Sequence, residues 1–214
     1  MRRLRHDWNR DCRIAAFVLC LTPGPDMMFV VAMGGRGGPT TGMMAALGVA
    51  FGALAHAVAA ALGLSALFTS LPTLYHVLRW IGAAYLLYLA VKAFRDRSSL
   101  GGDEVAATGS PVPGRVRAFR QGAVTNLLNP KVIFFNVAFL PQFVNPALGH
   151  AVGQLLVLGL TLVLVGLVVD ASVGLISGRL SSLLRRSRRV ARGLNVFSGT
   201  VFAGLATRLA VGSD

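Results

Sequence analysis

Long apolar stretches, separated by short polar ones, dominate this chain. Six stretches approach the length of about 20 residues that spans a bilayer as a helix. They lie at about 14–33, 42–68, 74–94, 118–144, 151–176 and 193–211. Charged residues make up 14% of the sequence, against about 25% in soluble domains. The pattern predicts an all-α integral membrane protein with about six transmembrane helices.

Two of these stretches are interrupted by proline motifs that place an ionisable residue in apolar sequence. The interruptions comprise Thr22, Pro23, Gly24, Pro25 and Asp26 in the first stretch, and Asn126, Asn129, Pro130 and Lys131 in the fourth. Proline removes a helix hydrogen bond and clashes with the preceding turn. Freed backbone groups and charges at membrane depth persist only where protein or a water-filled cavity covers them. Matched interruptions in two halves of a chain are typical of a transporter substrate site.

The broken stretches divide the sequence into two halves of three spans each. Residues 14–94 form the first predicted repeat and 118–211 the second, with a flexible basic loop at 95–117 and a basic extension at 1–13. Because an odd number of spans turns the second half upside down in the membrane, we expect two inverted repeats with broken helices 1 and 4.

Arginine supplies most of the formal net charge of +13. The arginines cluster at 2–13, 95–120 and 179–192, between apolar stretches, without an aromatic-interleaved or amphipathic surface. This arrangement favours basic loops beside membrane helices over nucleic-acid binding. The two later clusters fall on one side of the membrane, which the positive-inside rule makes cytoplasmic. The basic N-terminus opposes that orientation, so its sidedness stays open.

Two further polar side chains lie on helix faces made of small residues. His56 shares a face with Gly48, Gly52 and Ala60, and Asp170 shares one with Gly166, Gly174 and Gly178. Small residues at a spacing of four let helices approach closely in lipid. His56 is either an interhelical hydrogen-bond donor or a proton-handling group. Asp170 is either a structural carboxylate near a helix end or a functional group.

The residues beside the prolines have similar alternatives. Asp26 is an N-cap of the second half-helix, a proton carrier, or the partner of a cationic amino group. Lys131 extends to a lipid headgroup, pairs with Asp26 or Asp170, or binds a substrate carboxylate. Unwound carbonyls and Asp26 suit an ammonium group, while a half-helix N-terminus suits a carboxylate. A zwitterionic amino acid matches both, and titration of Asp26, Asp170 or His56 would couple its export to protons.

At these residues the chain resembles the LysE/RhtB family of amino-acid exporters. The matching blocks are Leu-Thr-Pro-Gly-Pro-Asp at 21–26, the glycine-rich stretch 42–63, Gly-Ala-Ala-Tyr-Leu at 82–86, and the run from 119 to 143 with its Asn-Pro-Lys. Together they cover about 14–210. The resemblance implies a multi-pass exporter of the bacterial inner membrane, driven by the proton motive force. Ala53 stands where relatives often have a polar or acidic residue, and a neutral substrate such as threonine, homoserine or homoserine lactone is favoured.

The sequence leaves room for two other classes of protein. A passive channel would share the six spans and the broken helices. An intramembrane aspartyl protease would use Asp26 and Asp170 as a dyad, although the sequence contexts of that class are missing. We expect no metal, since Cys12 and Cys20 stand outside any metal-ligand cluster. We also expect no catalytic residue or cofactor, since the sequence lacks the motifs GxSxG, HExxH and GxxxxGK(S/T). The expected partners are an amino acid, protons and the lipid bilayer, with a homo-oligomer left open.

Overall fold

The computed structural model describes residues 20–70, 72–95, 114–145 and 149–211, and the regular elements in these ranges are helices. They are α1 (Pro25–Gly37), α2 (Pro39–Ser70), α3 (Pro72–Arg95), α4 (Arg115–Leu127), α5 (Pro130–Phe134), α6 (Ala151–Arg186) and α7 (Arg188–Val211). Helix α5 continues into a π-helical segment, Phe135–Phe139, and a 3-10 turn, Leu140–Phe143. The predicted all-α fold is confirmed. The extension 1–13, the start of the first span at 14–19 and the loop residues 96–113 lie outside the described residues.

Prolines set the start of four helices. Pro25, Pro39, Pro72 and Pro130 are the first residues of α1, α2, α3 and α5. At that position proline loses no hydrogen bond, and its fixed φ already suits a helix. Gly38 alone separates α1 from α2, and it turns the chain with a φ of 82°, which glycine adopts without steric cost.

Both predicted breaks are present. Residues 22–24 are non-helical between helical Leu21 and the start of α1. Residues 128 and 129 separate α4 from α5, and the Arg115–Leu127 and Pro130–Phe143 segments meet at 50°. The chain therefore changes direction at the two places where proline interrupts apolar sequence.

Among the described residues, four helical stretches are long and apolar enough to cross a membrane, and the bent pair around residues 128 and 129 makes a fifth if it counts as one span. The four are Pro39–Gly63, Val77–Arg95, Ala151–Ser181 and Arg189–Val211. With the bent pair they correspond to predicted spans two to six. The first span is described only in part and contributes α1. Apolar side chains such as Val157 and Val168 are 66% and 67% exposed, as expected for a surface that faces lipid.

The third basic cluster, 179–192, was predicted to be a loop but is largely helical. Helix α6 runs to Arg186 and α7 begins at Arg188, so Ser187 alone interrupts helix within 179–192. Arginine is a good helix former. Its long apolar stem also lets the charged head reach water from a helix that is leaving the membrane.

The ends of the predicted loop 95–117 are also helical. Helix α3 includes Arg95, and α4 already begins at Arg115. The helices on either side therefore extend beyond their apolar stretches and into the predicted loop.

Helix α2 lies at the centre of the molecule. It packs along α4 and α6, while α3 packs along α7 and α1 along α6. Glycines make the closest approaches: a Cβ on Gly42 would lie 2.7 Å from the Gly174 carbonyl oxygen, and one on Gly52 would lie 2.8 Å from that of Ala123. The small-residue faces predicted on these helices are thus helix contacts, although Gly178 faces open space. This packing sets both breaks against the middle of α2 and α6.

Candidate functional site

A cavity of about 90 Å³ lies between the two breaks and the middle of helices α2 and α6. Its ionisable lining residues include Asp26, Lys131 and Asp170. Sites for drug-sized ligands span several hundred Å³, so this cavity suits a small solute. Charged groups around an enclosed space at membrane depth are typical of a substrate or ion path.

Asp26 binds to the opposite break. Its Oδ2 accepts a hydrogen bond of 2.8 Å from Asn126 Nδ2 and another of 2.8 Å from Asn129 Nδ2. The N-cap alternative for Asp26 is wrong, because the N-cap of α1 is Gly24 and no side chain caps that helix. Asp26 is the second residue of α1, and its carboxylate turns towards the second break.

Asn129 is the N-cap of α5. Its Oδ1 accepts from the Lys131 backbone N–H at 3.0 Å, while its Nδ2 donates to Asp26. A side-chain oxygen at this position satisfies a backbone donor that the helix start leaves unpaired. One amide therefore starts the second half-helix and also holds the carboxylate of the first.

Lys131 reaches back to the first break. Its Nζ donates to the Thr22 carbonyl oxygen at 2.9 Å and lies 5.4 Å from the ring centroid of Phe202, within cation–π range. A Cβ on Gly24 would lie 3.3 Å from this Nζ, so the glycine leaves room for the ammonium. The side chain is directed into the protein at the breaks, which does not fit extension to a lipid headgroup.

His56 joins α2 to the end of α4. Its Nε2 lies 3.3 Å from the Asn126 carbonyl oxygen. A carbonyl only accepts, so Nε2 carries the proton of this hydrogen bond. His56 is outside the cavity lining, and its contact has the geometry of the interhelical donor.

Asp170 faces the cavity from α6. It is 9% exposed and lines the cavity, and it forms no hydrogen bond within the described parts of the chain. A buried carboxylate without a partner is costly unless it is wetted or protonated. Its position opposite both breaks brings it together with Asp26 and Lys131.

The cavity gathers most of the predicted site residues. Those that line it are Thr22, Gly24, Asp26, Asn126, Asn129, Lys131 and Asp170. Pro23, Pro25 and Pro130 shape the backbone of the breaks without lining the cavity.

Sequence reasoning missed Asn136. This residue is 3% exposed, lines the cavity from the π-helical segment, and donates from Nδ2 to the Val132 carbonyl oxygen at 2.9 Å. A lone amide inside the apolar run 132–140 was the available signal. Single π-helical turns inside α-helices are also frequent at functional sites.

Comparison with known proteins places the chain in a family. Residues 17–213 match the model of the LysE type translocator. A membrane protein of uncharacterized function from Pseudomonas aeruginosa is 34% identical over 195 residues, which cover 91% of this chain and 90% of that protein. A protein of Enterobacter sp. named leucine efflux protein is 30% identical over 203 residues, 92% of each chain. Its namesake from Salmonella choleraesuis is 31% identical over 198 residues, again 92% of each chain. No solved structure matches the chain significantly.

These matches confirm the resemblance that the proline motifs indicated. They also confirm the expected localisation, a multi-pass protein of the bacterial inner membrane, together with the apolar helices. The chain therefore belongs to the LysE type translocator family, and it is a membrane transport protein rather than an enzyme.

Proposed function

We propose that the chain exports a neutral amino acid or a close derivative in exchange for protons. The observation that carries this proposal is the cavity that holds Asp26 and Lys131 at the meeting point of two broken helices. A carboxylate and an ammonium in one small space match the two charges of a zwitterion. The family supports transport, and two relatives carry the name leucine efflux protein.

The rest of the lining supports a neutral substrate. Apolar side chains from α2 and α6, including Val49, Ala53 and Leu162, complete the cavity. These apolar side chains can accept an aliphatic side chain of the substrate. Leucine and threonine are therefore the first substrates to test, followed by homoserine and its lactone.

Proton exchange is assigned to the two carboxylates. Asp26 and Asp170 line the same cavity, so a proton on either one changes the charge that the substrate meets. Protonation would weaken the attraction for the substrate ammonium and favour release outside. In this scheme Asp26 binds substrate and proton alternately, while Asp170 carries the proton inward.

Alternating access is assigned to the two inverted repeats, 14–94 and 118–211. The pairing of helices supports this assignment, because α2 packs on α6 and α3 on α7, each on its counterpart in the other half. Helix α1 packs on α6 as α4 packs on α2. A site at the interface of two such halves can open to either side by rocking one against the other.

Efflux tests the proposal directly. Cells that express the chain are preloaded with labelled leucine, threonine or homoserine, and efflux is followed with and without a protonophore. We expect faster efflux than from empty-vector cells for one or a few compounds, with most of the gain lost on adding the protonophore. Efflux that ignores the protonophore and a pH gradient in proteoliposomes would support the passive channel instead. Wild-type protein in the membrane without efflux of any of these compounds would refute amino-acid export of this type.

A further inference from the structure

Three buried oxygen atoms at the cavity have no hydrogen-bond partner within the described chain. They are Asp26 Oδ1, Asn126 Oδ1 and Asn136 Oδ1. All three residues line the same cavity, and Asn126 and Asn136 are only 2% and 3% exposed. Buried polar atoms are nearly always paired, so unpaired acceptors on three residues of one cavity indicate a missing donor.

Hydrogen bonds fix the orientation of each of these side chains. Asn126 Nδ2 donates to Asp26 Oδ2, and Asn136 Nδ2 donates to the Val132 carbonyl oxygen. Turning either amide over would break its bond and bring two acceptors together. Asp26 Oδ2 already accepts from two amides, and its Oδ1 is the oxygen that lacks a donor. The three acceptors are thus held in place before any ligand binds.

The number of unpaired acceptors and the charge of the lining both indicate which chemical group supplies the missing donor. A protonated primary amine has three N–H donors and no acceptor. The lining has two acidic side chains, Asp26 and Asp170, and one basic side chain, Lys131, so it favours a cationic group over an anionic one. Hydrogen bonds that involve charged groups are stronger than neutral ones, which favours an ammonium over a neutral amide.

We propose that Asp26, Asn126 and Asn136 form an ammonium site, and that Asn136 determines specificity for primary amines. The proposal deepens the exporter function and rests on the same cavity. A site built to hydrogen-bond a donor rejects analogues that lack it, because its buried acceptors then stay unpaired. The recognised class is therefore wider than amino acids: amides and esters that keep a free primary amine fit the site, and N-acylated amino acids do not.

Binding measured without transport tests this site. The purified full-length chain in lipid nanodiscs is titrated with labelled leucine, and leucinamide and N-acetylleucine compete against it. Leucinamide keeps the ammonium and loses the carboxylate, whereas N-acetylleucine keeps the carboxylate and loses the ammonium. We expect leucinamide to compete within about tenfold of leucine, and N-acetylleucine to be weaker by at least about 100-fold.

Variants at position 136 separate recognition from folding. Asn136→Leu should weaken leucinamide binding by about tenfold or more and leave N-acetylleucine binding unchanged. Asn136→Asp keeps an acceptor and, as the protonated acid, a donor for the Val132 carbonyl, so it should retain leucinamide binding. The control is Asn145→Ala, an amide beyond the cavity whose backbone N–H and C=O bond to Gln154; it should bind like wild type. If the Leu variant fails to fold, the Asp variant and the analogue series still decide the matter.

The outcomes distinguish this site from the exporter function. Equal competition by N-acetylleucine and leucinamide would overturn the ammonium site, as would binding that requires Na⁺ and not the amine. Unchanged affinity in a folded Asn136→Leu protein would overturn the role of Asn136 even if the chain exports leucine. Amine-selective binding without efflux would support the site and refute the exporter function.

Discussion

Asp26 and Asn129 are joined by a hydrogen bond of 2.8 Å, although 103 positions separate them in the chain. Each stands at the start of a half-helix, Asp26 at the second position of α1 and Asn129 at the N-cap of α5. Lys131, at the second position of α5, returns the contact by donating to the Thr22 carbonyl oxygen of the other break. The two breaks therefore hold each other in place with ionisable groups of opposite sign.

This reciprocal contact makes the breaks a single unit. A shift of either half-helix would strain the Asp26–Asn129 bond and the Lys131–Thr22 bond together. A substrate that takes over one of these partners would change both breaks at once. Substitutions at the separate contacts should nevertheless have effects that can be told apart.

Substitutions of the two carboxylates should affect net efflux and exchange differently. Asp26→Asn should lower both net efflux and leucine–leucine exchange by about 100-fold, because it removes the negative charge that makes a hydrogen bond to this group worth about 1.5–3 kcal/mol. Asp170→Asn should abolish proton-driven efflux and preserve exchange, which needs no net proton movement. Both variants are assayed in proteoliposomes after their insertion is verified. Wild-type efflux by inserted Asp26→Asn would refute a role for that carboxylate.

Two variants of Asn129 should separate its effect on stability from its effect on transport. Asn129→Ala removes both the N-cap and the bond to Asp26, and it should lower the free energy of unfolding by about 1–2 kcal/mol. Asn129→Ser restores the cap with a side chain that has no amide donor for Asp26. We expect thermal stability in detergent to recover in the Ser variant while efflux stays low. Full efflux by the Ser variant would show that Asn129 acts only as a cap.

Gly52 should tolerate no side chain. A Cβ there would lie 2.8 Å from the Ala123 carbonyl oxygen and 2.9 Å from Asn126 Cβ. Gly52→Leu would push α4 away from α2, with an overpacking cost of about 1–3 kcal/mol or more. Expression, monodispersity and efflux should all fall. Gly63→Ala is the control on the same helix, since a methyl group there would meet nothing within 4 Å; an active Gly52→Leu protein would contradict the observed packing.

His56 should act through its hydrogen bond to the Asn126 carbonyl. His56→Ala should cost about 1 kcal/mol of stability and reduce efflux. His56→Gln can still donate to that carbonyl but does not titrate. We expect the Gln variant to recover efflux with an unchanged pH profile. If the Gln variant folds normally yet loses the response to the proton gradient, His56 handles protons.

Lys131 should contribute its charge to substrate affinity. Lys131→Met keeps an apolar side chain against Phe202 and removes the ammonium. The KM for leucine efflux should rise by about tenfold or more, because a charge-assisted bond is lost. Arg208→Met is the matched control, since Arg208 lies 4.9 Å from the Phe143 ring centroid and outside the cavity. Equal KM values for the two variants would show that Lys131 does not contribute to substrate binding.

Sequence reasoning predicted the helical fold, the two breaks and the charged residues that line the cavity, Asp26, Lys131 and Asp170. Those features depend on local properties: a run of apolar residues specifies a membrane helix, and a proline disfavours the interior of an α-helix. The same local signals misplaced the basic segments, because arginine is compatible with both a loop and a helix end. These local signals therefore did not predict that helix α6 continues to Arg186.

The sequence by itself determined which apolar stretches are helical, where they are broken and which ionisable residues stand beside the breaks. Tertiary structure alone decided which side chains meet. Asp26 binds Asn126 and Asn129 in place of capping its own helix, and Asn136 joins them at the cavity. These contacts join residues about 100 positions apart. They depend on how closely the glycine faces of α2 let α4 and α6 approach, which is a property of packed helices and not of any one segment.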